Sequence, residues 1–338
     1  MSQPLPSSTP CAGTRALLLV FSLTACSFPL GCDGDGSEPY TALDDRTHNP
    51  VIETVELADP HVIRHRGRYY LYPTDGNGPD AYLGYDVYTS DDLVHWTQGP
   101  RVFTHPGPNV WAPDVFEDPD SGRFFLYYSL ADGHIGVAIA DRPEGPFEDQ
   151  GLLTDQGIDA FLFRDDDGRL YLYYSQFVLS ALQGSLWVQP MKSPTETDGA
   201  PTRILDAQGW ERFLGFIGII EAPWMLKRDD VYYLMYSGNA TTGLDYAVGY
   251  ATSTSPLGPF TRYEGNPILR RDDDVLSPGH HAVVDTPDGG LAIVYHQKTT
   301  REFKWLSFGD RVVCADRMGF DDAGNLWTAP TPLRTAPP

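Results

Sequence analysis

IDAFLFRDDDGRLYLYYS, residues 158–175, has three parts: a short apolar run opened by an acid, a polar turn containing Gly168, and a tyrosine-rich run. Two strand-like runs around such a turn read as a β-hairpin. The same phrase recurs as ADPHVIRHRGRYYLYPT (58–74), VWAPDVFEDPDSGRFFLYYS (110–129) and IIEAPWMLKRDDVYYLMYS (219–237). A weaker copy, SPGHHAVVDTPDGGLAIVYH, fills 277–296. The second runs of the five copies start at residues 69, 124, 170, 232 and 291, so the spacings are 55, 46, 62 and 59.

A repeat of roughly 45–60 residues made of several short strands is the sequence form of a propeller blade. Further strands follow in the units, at IGVAIA (135–140), SLWVQPM (185–191) and YAVGYAT (246–252). Two units close alike, with RPEGPFED (142–149) and SPLGPFTR (255–262). The pattern predicts an all-β chain folded as a five-bladed β-propeller, with blades at 50–100, 101–151, 152–203, 204–267 and 268–335. A WD40 propeller is excluded because its Trp-Asp endings are missing. A β-sandwich is the structural alternative, but it leaves the long regular repeats unexplained.

Composition supports strands. The 338 residues are 41% hydrophobic and include 19 Tyr, 16 Phe and 7 Trp, types that favour a pleated surface. The 33 Gly and 29 Pro supply turns. A net charge of −22 argues against a nucleic-acid partner, which needs clustered Lys and Arg, and disfavours a strongly anionic glycan. A neutral ligand suits it. Four cysteines are too few for a disulfide scaffold, and no Cys-x-x-Cys pair indicates zinc.

The N-terminus reads as an export segment. Arg15 precedes ALLLVFSLTA, which is too short to span a bilayer, and Leu23-Thr24-Ala25-Cys26 resembles a bacterial lipobox. The expected organisation is a lipoprotein signal peptide over 1–25, a flexible tether over 26–48 and the propeller over 49–338. Cleavage before Cys26 would anchor the protein to the cell envelope by lipid alone. The alternatives are an ordinary signal peptide with a secreted product, and PLGC at Cys32 as the lipidated site.

Three copies open with an isolated acid: Asp59, Asp159 and Glu221. The first strand of a propeller blade lines the central channel, so acids read as sharing one position in different blades converge on one site. Glu221 lies between Ile219-Ile220 and Ala222-Pro223, where a buried carboxyl is costly without a task. Asp114, set later in its copy, reads as structural.

Together, ADPHVI, VWAPDV, IDAFLF, EAPWM and SPGHHAVV, in this order and spacing, resemble glycoside hydrolase family 43 over about residues 50–335. The resemblance implies an inverting glycosidase acting on arabinan, arabinoxylan or xylan, an α-L-arabinofuranosidase or β-xylosidase. It makes Asp59 the general base, Glu221 the general acid and Asp159 the residue that orients Glu221 and raises its pKa by like-charge repulsion. Inversion needs carboxyls about 6.5–9.5 Å apart, with a water between base and sugar. Trp111, Phe161 and Trp224 are candidates to line the sugar pocket, since an aromatic face suits a sugar's C–H face.

His280, favoured over His281, matches a fifth-blade histidine beside a central Ca2+ or Na+ ion or an ordered water. No cofactor is required for the chemistry, and a monomer is expected. A fructan hydrolase on the related fold is disfavoured, since Ala-Asp-Pro-His, Ile-Asp-Ala and Glu-Ala-Pro stand where its signatures would be. A carbohydrate-binding propeller without activity is the reading from another class; intact acids count against it.

Overall fold

The hairpin phrase builds the innermost two strands of every sheet. A computed structural model of the chain describes residues 42–44, 48–107, 109–301 and 310–334. These form five sheets, numbered here in chain order. Sheet I comprises Leu57–His65, Arg68–Asp75, Gly84–Ser90 and Thr97–Thr104. Sheet II comprises Val110–Glu117, Phe124–Leu130, Ile135–Ala140 and Glu148–Thr154. Sheet IV comprises Ile220–Arg228, Val231–Gly238, Ala247–Ser253 and Thr261–Arg262, and sheet V comprises Gly279–Asp285, Leu291–Lys298, Arg311–Phe320 and Leu326–Thr328.

Each of these four is an antiparallel meander in sequence order. Sheet III is larger, with seven strands built on Ile158–Arg164, Leu170–Val178 and Gln183–Ser193 and ending in the short strand Ile217–Gly218. The arrangement is all-β and propeller-like, with two 3₁₀ turns as the helical content among the described residues. The meanders rule out a two-sheet sandwich. Two blade limits differ from the repeat-based ones: sheet III continues to Gly218 and sheet IV opens at Ile220, because the insertion 196–218 pairs back onto Gln183–Ser193 rather than starting the next unit.

The turns follow their residues. In sheet I, His65 pairs with Arg68 around Arg66 (φ 50°) and Gly67 (φ 84°). In sheet IV, Arg228 pairs with Val231 around Asp229 (φ 49°) and Asp230 (φ 63°). Two consecutive positive φ values form the tight turn whose twist matches a hairpin, and Gly and Asp tolerate them best.

The tyrosine-rich strands are buried on both faces, so apolar clusters fill the gaps between neighbouring sheets. Tyr72, Val87, Val110 and Leu126 belong to the cluster between sheets I and II, and Tyr127, Val137, Leu162 and Leu172 to that between II and III. Tyr173, Val188, Leu234 and Tyr236 fill the gap between III and IV. Tyrosine suits these gaps because its hydroxyl can leave the apolar layer and find a carbonyl. Tyr72 donates to Pro143 O (2.8 Å), Tyr127 to Pro194 O (2.7 Å) and Tyr173 to Pro256 O (2.7 Å), each time reaching the next sheet or its edge.

The two ends of the described residues meet on sheet V. Asn49 donates to Asp316 and Thr331, and Ile52 bridges to Val313. Leu43 and His48, inside the segment read as a tether, are buried, and His48 bonds Ala315 O. The signal peptide and the tether through residue 41 lie outside the described residues, as do Cys26 and Cys32.

The inner strands Leu57–His65, Val110–Glu117, Ile158–Arg164, Ile220–Arg228 and Gly279–Asp285 pack against one another in cyclic order. Each carries a bulge near its start. At every bulge one residue is left-handed: Asp59 (φ 47°), Ala112 (46°), Asp159 (55°), Ala222 (51°) and His280 (48°). The backbone N–H of that residue is then bound by a side chain from the preceding sheet. Ala112 N–H donates to Thr74 Oγ1 (2.8 Å), Asp159 N–H to Ser129 Oγ (2.7 Å), His280 N–H to Ser237 Oγ (2.8 Å) and Asp59 N–H to His296 Nδ1 (3.1 Å). At the joint between sheets III and IV, Ala222 N–H donates to Asp159 Oδ2 (3.2 Å), while Ser175 Oγ donates to Ile220 O (2.7 Å).

A Ser129→Ala substitution leaves the buried Asp159 N–H without its acceptor. It is expected to lower unfolding free energy by about 1–3 kcal/mol, as read by urea denaturation. An unchanged midpoint would show that the joint carries no stability.

Candidate active site

The bulges aim side chains of several sheets into one cavity. Aligning them corrects the repeat-based register. Asp59, Ala112, Asp159, Ala222 and His280 are equivalent, each left-handed. Glu221 stands one residue earlier, at the position of Ala58, Trp111, Ile158 and Gly279, each paired with the second strand just before its bulge. The three acids therefore share a neighbourhood but not a position. Glu221 is approached from the step occupied by Trp111, and Asp59 and Asp159 from the step occupied by His280.

A cavity of about 520 Å³ is lined by Asp59, Trp111, Asp159, Glu221 and His280, together with Glu56, Thr74, Gly76, Tyr82, Asn109, Ile158, Thr241 and Arg311. Phe161 and Trp224 are not among these residues. They sit two residues past their bulges, stack on each other at 4.4 Å, and line a much smaller cavity shared with His61 and His281. Asp114 occupies the same step and is structural: its carboxylate contacts His61 Nδ1 at 3.0 Å and accepts Leu162 N–H at 3.1 Å.

Asp59 is only 8% exposed and is surrounded by nitrogen. Its Oδ1 lies 3.2 Å from Arg311 Nη1, 3.2 Å from His280 Nδ1 and 3.3 Å from His296 Nδ1. Burial alone would raise its pKa, but His280 and Arg311, then His296, outweigh burial and hold the carboxyl well below the usual range. Burial also pushes His280 down, and His296 down to about 4. His296 Nδ1 meets both the Asp59 N–H, at 3.1 Å, and its carboxylate, and Nε2 lies 3.1 Å from Thr241 Oγ1. Arg311 is then the standing positive charge beside Asp59 at neutral pH.

Glu221 is displaced the other way. Burial raises it, the Tyr246 hydroxyl donating to Oε1 (2.7 Å) pulls it back, the Asp59 charge raises it again, and it reaches about 7. Asp159 is pushed well above the carboxylate range by burial first, then by the charges of Glu221 and Asp59, against the Ala222 N–H. Burial is the leading cause for both carboxyls, and repulsion between them keeps the two from ionising together near neutrality. The pair holds at least one proton near neutrality while Asp59 holds none.

One ligand atom from each of Asp159, Glu221 and His280 lies within 4.8 Å of the others. Two carboxylates and an imidazole are a poor set for Ca2+ or Na+, which prefer many oxygens, and a cation there would strip Glu221 of its proton. His281, 4% exposed and pushed down to about 3 by burial, has neither ring nitrogen bonded. The adjoining cavity, about 20 Å³, offers room for a single water.

Arg311, His296, Tyr246, Tyr82, Glu56 and Thr241 were not singled out from sequence. His296 had a readable signal: the five tyrosine-rich runs end in Thr74, Ser129, Ser175, Ser237 and His296, so the fifth alone departs from a hydroxyl. Arg311 arrives from a third strand, where no repeat marks it.

The chain matches the family model for glycosyl hydrolases family 43 over residues 47–326. It is 32% identical over 312 residues to the beta-D-galactofuranosidase xynD of Aspergillus niger, covering 85% of this chain and 86% of that one. An extracellular endo-alpha-(1->5)-L-arabinanase 2 from Bacillus subtilis is 27% identical over 65% of this chain, which spans about half (53%) of that relative. A thermostable family-43 glycoside hydrolase of known crystal structure superposes with a TM-score of 0.75 at 33% identity, covering 86% of this chain and 98% of that one. With the convergent carboxylates at the mouth of the bulged strands, these likenesses establish that the chain belongs to glycosyl hydrolase family 43.

Proposed function

We propose that this chain is an inverting glycosidase on a five-bladed β-propeller, releasing α-L-arabinofuranosyl or β-D-xylosyl units from arabinan, arabinoxylan or xylan. Sheet III counts as a single blade with extra edge strands, because it holds one left-handed residue, Asp159, whose N–H is bound from sheet II and whose carboxylate binds the left-handed residue of sheet IV. The observation that carries the catalytic reading is the opposite displacement of two carboxyls in one cavity: Asp59 ionised, Glu221 protonated up to about pH 7.

Asp59 takes a proton from water as the water oxygen bonds to the anomeric carbon. Glu221 gives its proton to the glycosidic oxygen as the bond between that oxygen and the anomeric carbon breaks. The hydroxyl arrives on the face opposite the departing group, so the anomeric configuration inverts. Asp159 acts through Glu221: it binds the N–H of Ala222, the next residue, and so fixes where the acid's backbone stands. Trp111 offers the sugar its aromatic face, and His280 holds the base. No step is routed through a cation.

Similarity to a β-D-galactofuranosidase favours a second reading, since that sugar presents the same five-membered ring form as an arabinofuranoside. The Leu23–Cys26 motif supports export with a lipid anchor.

Turnover of aryl α-L-arabinofuranoside, β-D-xyloside, β-D-galactofuranoside and α-L-arabinopyranoside tests the assignment; silence on all four would overturn an exo-acting enzyme on these sugars. Asp59→Ala and Glu221→Ala are each expected to lower kcat about 100- to 10,000-fold while the protein stays folded. NMR of the first product anomer should show inversion; retention would contradict Asp59 as a base. Because Glu221 works protonated, kcat/KM should fall as pH rises through about 7, with the acid-side limb far below. Tyr246→Phe removes the bond that lowers Glu221, so the alkaline limb should move to higher pH; a shift downward would refute the acid assignment.

A further inference from the structure

We propose that a second cavity beside the catalytic one binds a uronic-acid unit of a polysaccharide, with Trp210 taking the face of the sugar and Arg212 and Arg270 its carboxylate. The proposal rests on the glycosidase reading above for the kind of polymer, and it assigns a use to the insertion 196–218 in sheet III. The cavity measures about 470 Å³, close to the size of the catalytic one and within the range that holds a small ligand. Trp210 and Arg212 reach it from the insertion, and Arg270 and Arg271 from the segment between sheets IV and V. Asn239 and Asp245 come from the loop joining Val231–Gly238 to Ala247–Ser253. That loop also serves the active site: its Thr241 lines the catalytic cavity, and Tyr246 at its end donates to Glu221. A polymer whose terminal unit enters the first cavity therefore passes close to the second.

Trp210 is held ready. Its indole lies over Gly238 and Gly249, where a Cβ at either position would stand 2.8 Å from the ring. It stacks on Tyr236 with ring centres 6.1 Å apart and 11° between the planes. The next residue, Glu211, is fully buried and accepts from Tyr236 Oη (2.8 Å) and Arg262 Nε (2.8 Å), while Asn239 Nδ2 donates to Trp210 O (3.1 Å). The indole itself stays half-buried on the cavity wall. An aromatic ring fixed in this way is a platform for a sugar ring with little further ordering to be done.

The charge around it is unlike that of the whole chain. Three arginines and one aspartate line the cavity, in a protein of net charge −22. Arg212 is held by neutral acceptors: Nη1 donates to Phe216 O (3.2 Å), and Nη2 to Gln183 Oε1 (3.2 Å) and Ala207 O (3.2 Å). Arg270 is exposed and has no hydrogen bond or ion pair among the described residues. Of the three, Arg271 is the one matched, its Nε 2.9 Å from Asp245 Oδ1. Asp272, Asp273 and Asp274 follow in sequence but do not line the cavity. Two guanidiniums without a carboxylate favour an anion, and their planar fork suits a carboxylate. The chain as a whole repels a long polyanion, but not an isolated carboxylate in an otherwise neutral polymer. A nucleic acid would need a basic stripe rather than one hollow. A uronic acid joins the two requirements, a sugar ring and a single carboxylate.

The test uses the full chain carrying Asp59→Ala, so that bound oligosaccharides are not consumed. Calorimetric titration compares a glucuronate-bearing xylo-oligosaccharide and a galacturonate-bearing arabino-oligosaccharide, each with its carboxyl-reduced counterpart. At least one acidic ligand should bind about tenfold or more tighter than its reduced form. Adding Arg270→Gln, a change at an exposed side chain, should erase most of that preference while the reduced ligand keeps its affinity. Trp210→Ala should weaken both forms alike; where that variant fails to fold, the arginine variant still decides. Equal affinity for acidic and reduced forms, a preference that survives Arg270→Gln, or no binding of either ligand would overturn the proposal. Inorganic phosphate is titrated alone: binding as tight as that of the acidic sugar would overturn the uronate in favour of a small-anion site. These outcomes are read from binding, so they leave the glycosidase reading to the aryl glycosides.

Discussion

The molecule turns on one local constraint: a left-handed residue at the start of each inner strand, its N–H bound by the sheet before it. An L-residue in this conformation is strained unless its surroundings hold it there. Here the surroundings are a hydroxyl, an imidazole or a carboxylate from the adjacent sheet. The bulges turn their strands so that Asp59, Asp159 and His280 at the left-handed position, and Trp111, Ile158 and Glu221 just before it, face the cavity, while the residues beyond return to packing between sheets. The same device closes the ring of contacts and aims the chemistry. Asp and His tolerate positive φ better than most side chains, so the residue types that the strain accepts are also ones that can titrate. Where no titrating group is needed the position is Ala112 or Ala222, the smallest side chain with a Cβ.

Much of this was legible in the sequence because a propeller-like fold repeats its hydrophobic phrase, and repetition survives changes in individual residues. The tyrosine-rich second strands fell where the alternation and the turns put them: FFLYYS opens the strand Phe124–Leu130 and YYLMYS lies within Val231–Gly238. The register of the acids was less visible. Reading Asp59, Asp159 and Glu221 as one position follows from their place ahead of an apolar run, but a bulge is a property of pairing with the second strand, which sequence spacing does not carry. The same lack put Phe161 and Trp224 in the sugar pocket, when two residues past a bulge is a packing position. Arg311 escaped because it lies some 250 residues from Asp59 in the chain and comes from a third strand, outside the repeated phrase.

The electrostatics of the cavity depend on where the Arg311 guanidinium falls. Three buried carboxyls cannot all ionise in close quarters, so fixed positive charge selects which one does. Arg311 reaches Asp59 at 3.2 Å. Glu221 has a tyrosine hydroxyl instead, and Asp159 a backbone amide. The neutral partners offset burial only in part, so protons settle on the Asp159–Glu221 pair and leave Asp59 bare. The proposed base and acid are thus distinguished by charge placement rather than by residue type. An Asp and a Glu exchanged between the two environments would be expected to exchange ionisation as well.

The joint between sheets III and IV is where the structural and chemical roles of the ring meet. At the other four joints a side chain from a second strand accepts the left-handed residue's N–H. Here Ser175 is present in the equivalent place but turns to donate to Ile220 O, and Asp159 takes the Ala222 N–H in its stead. Asp159 is itself the left-handed residue of sheet III, anchored through its own N–H to Ser129. One residue therefore receives its position from sheet II and passes it to sheet IV, one peptide away from Glu221. A simple serine joint would hold the strand of Glu221 as well, but it would not set there a carboxyl on which the Glu221 charge acts. Substituting a carboxylate for the hydroxyl at this single joint ties the placement of Glu221 to a side chain whose own ionisation answers to the Glu221 charge.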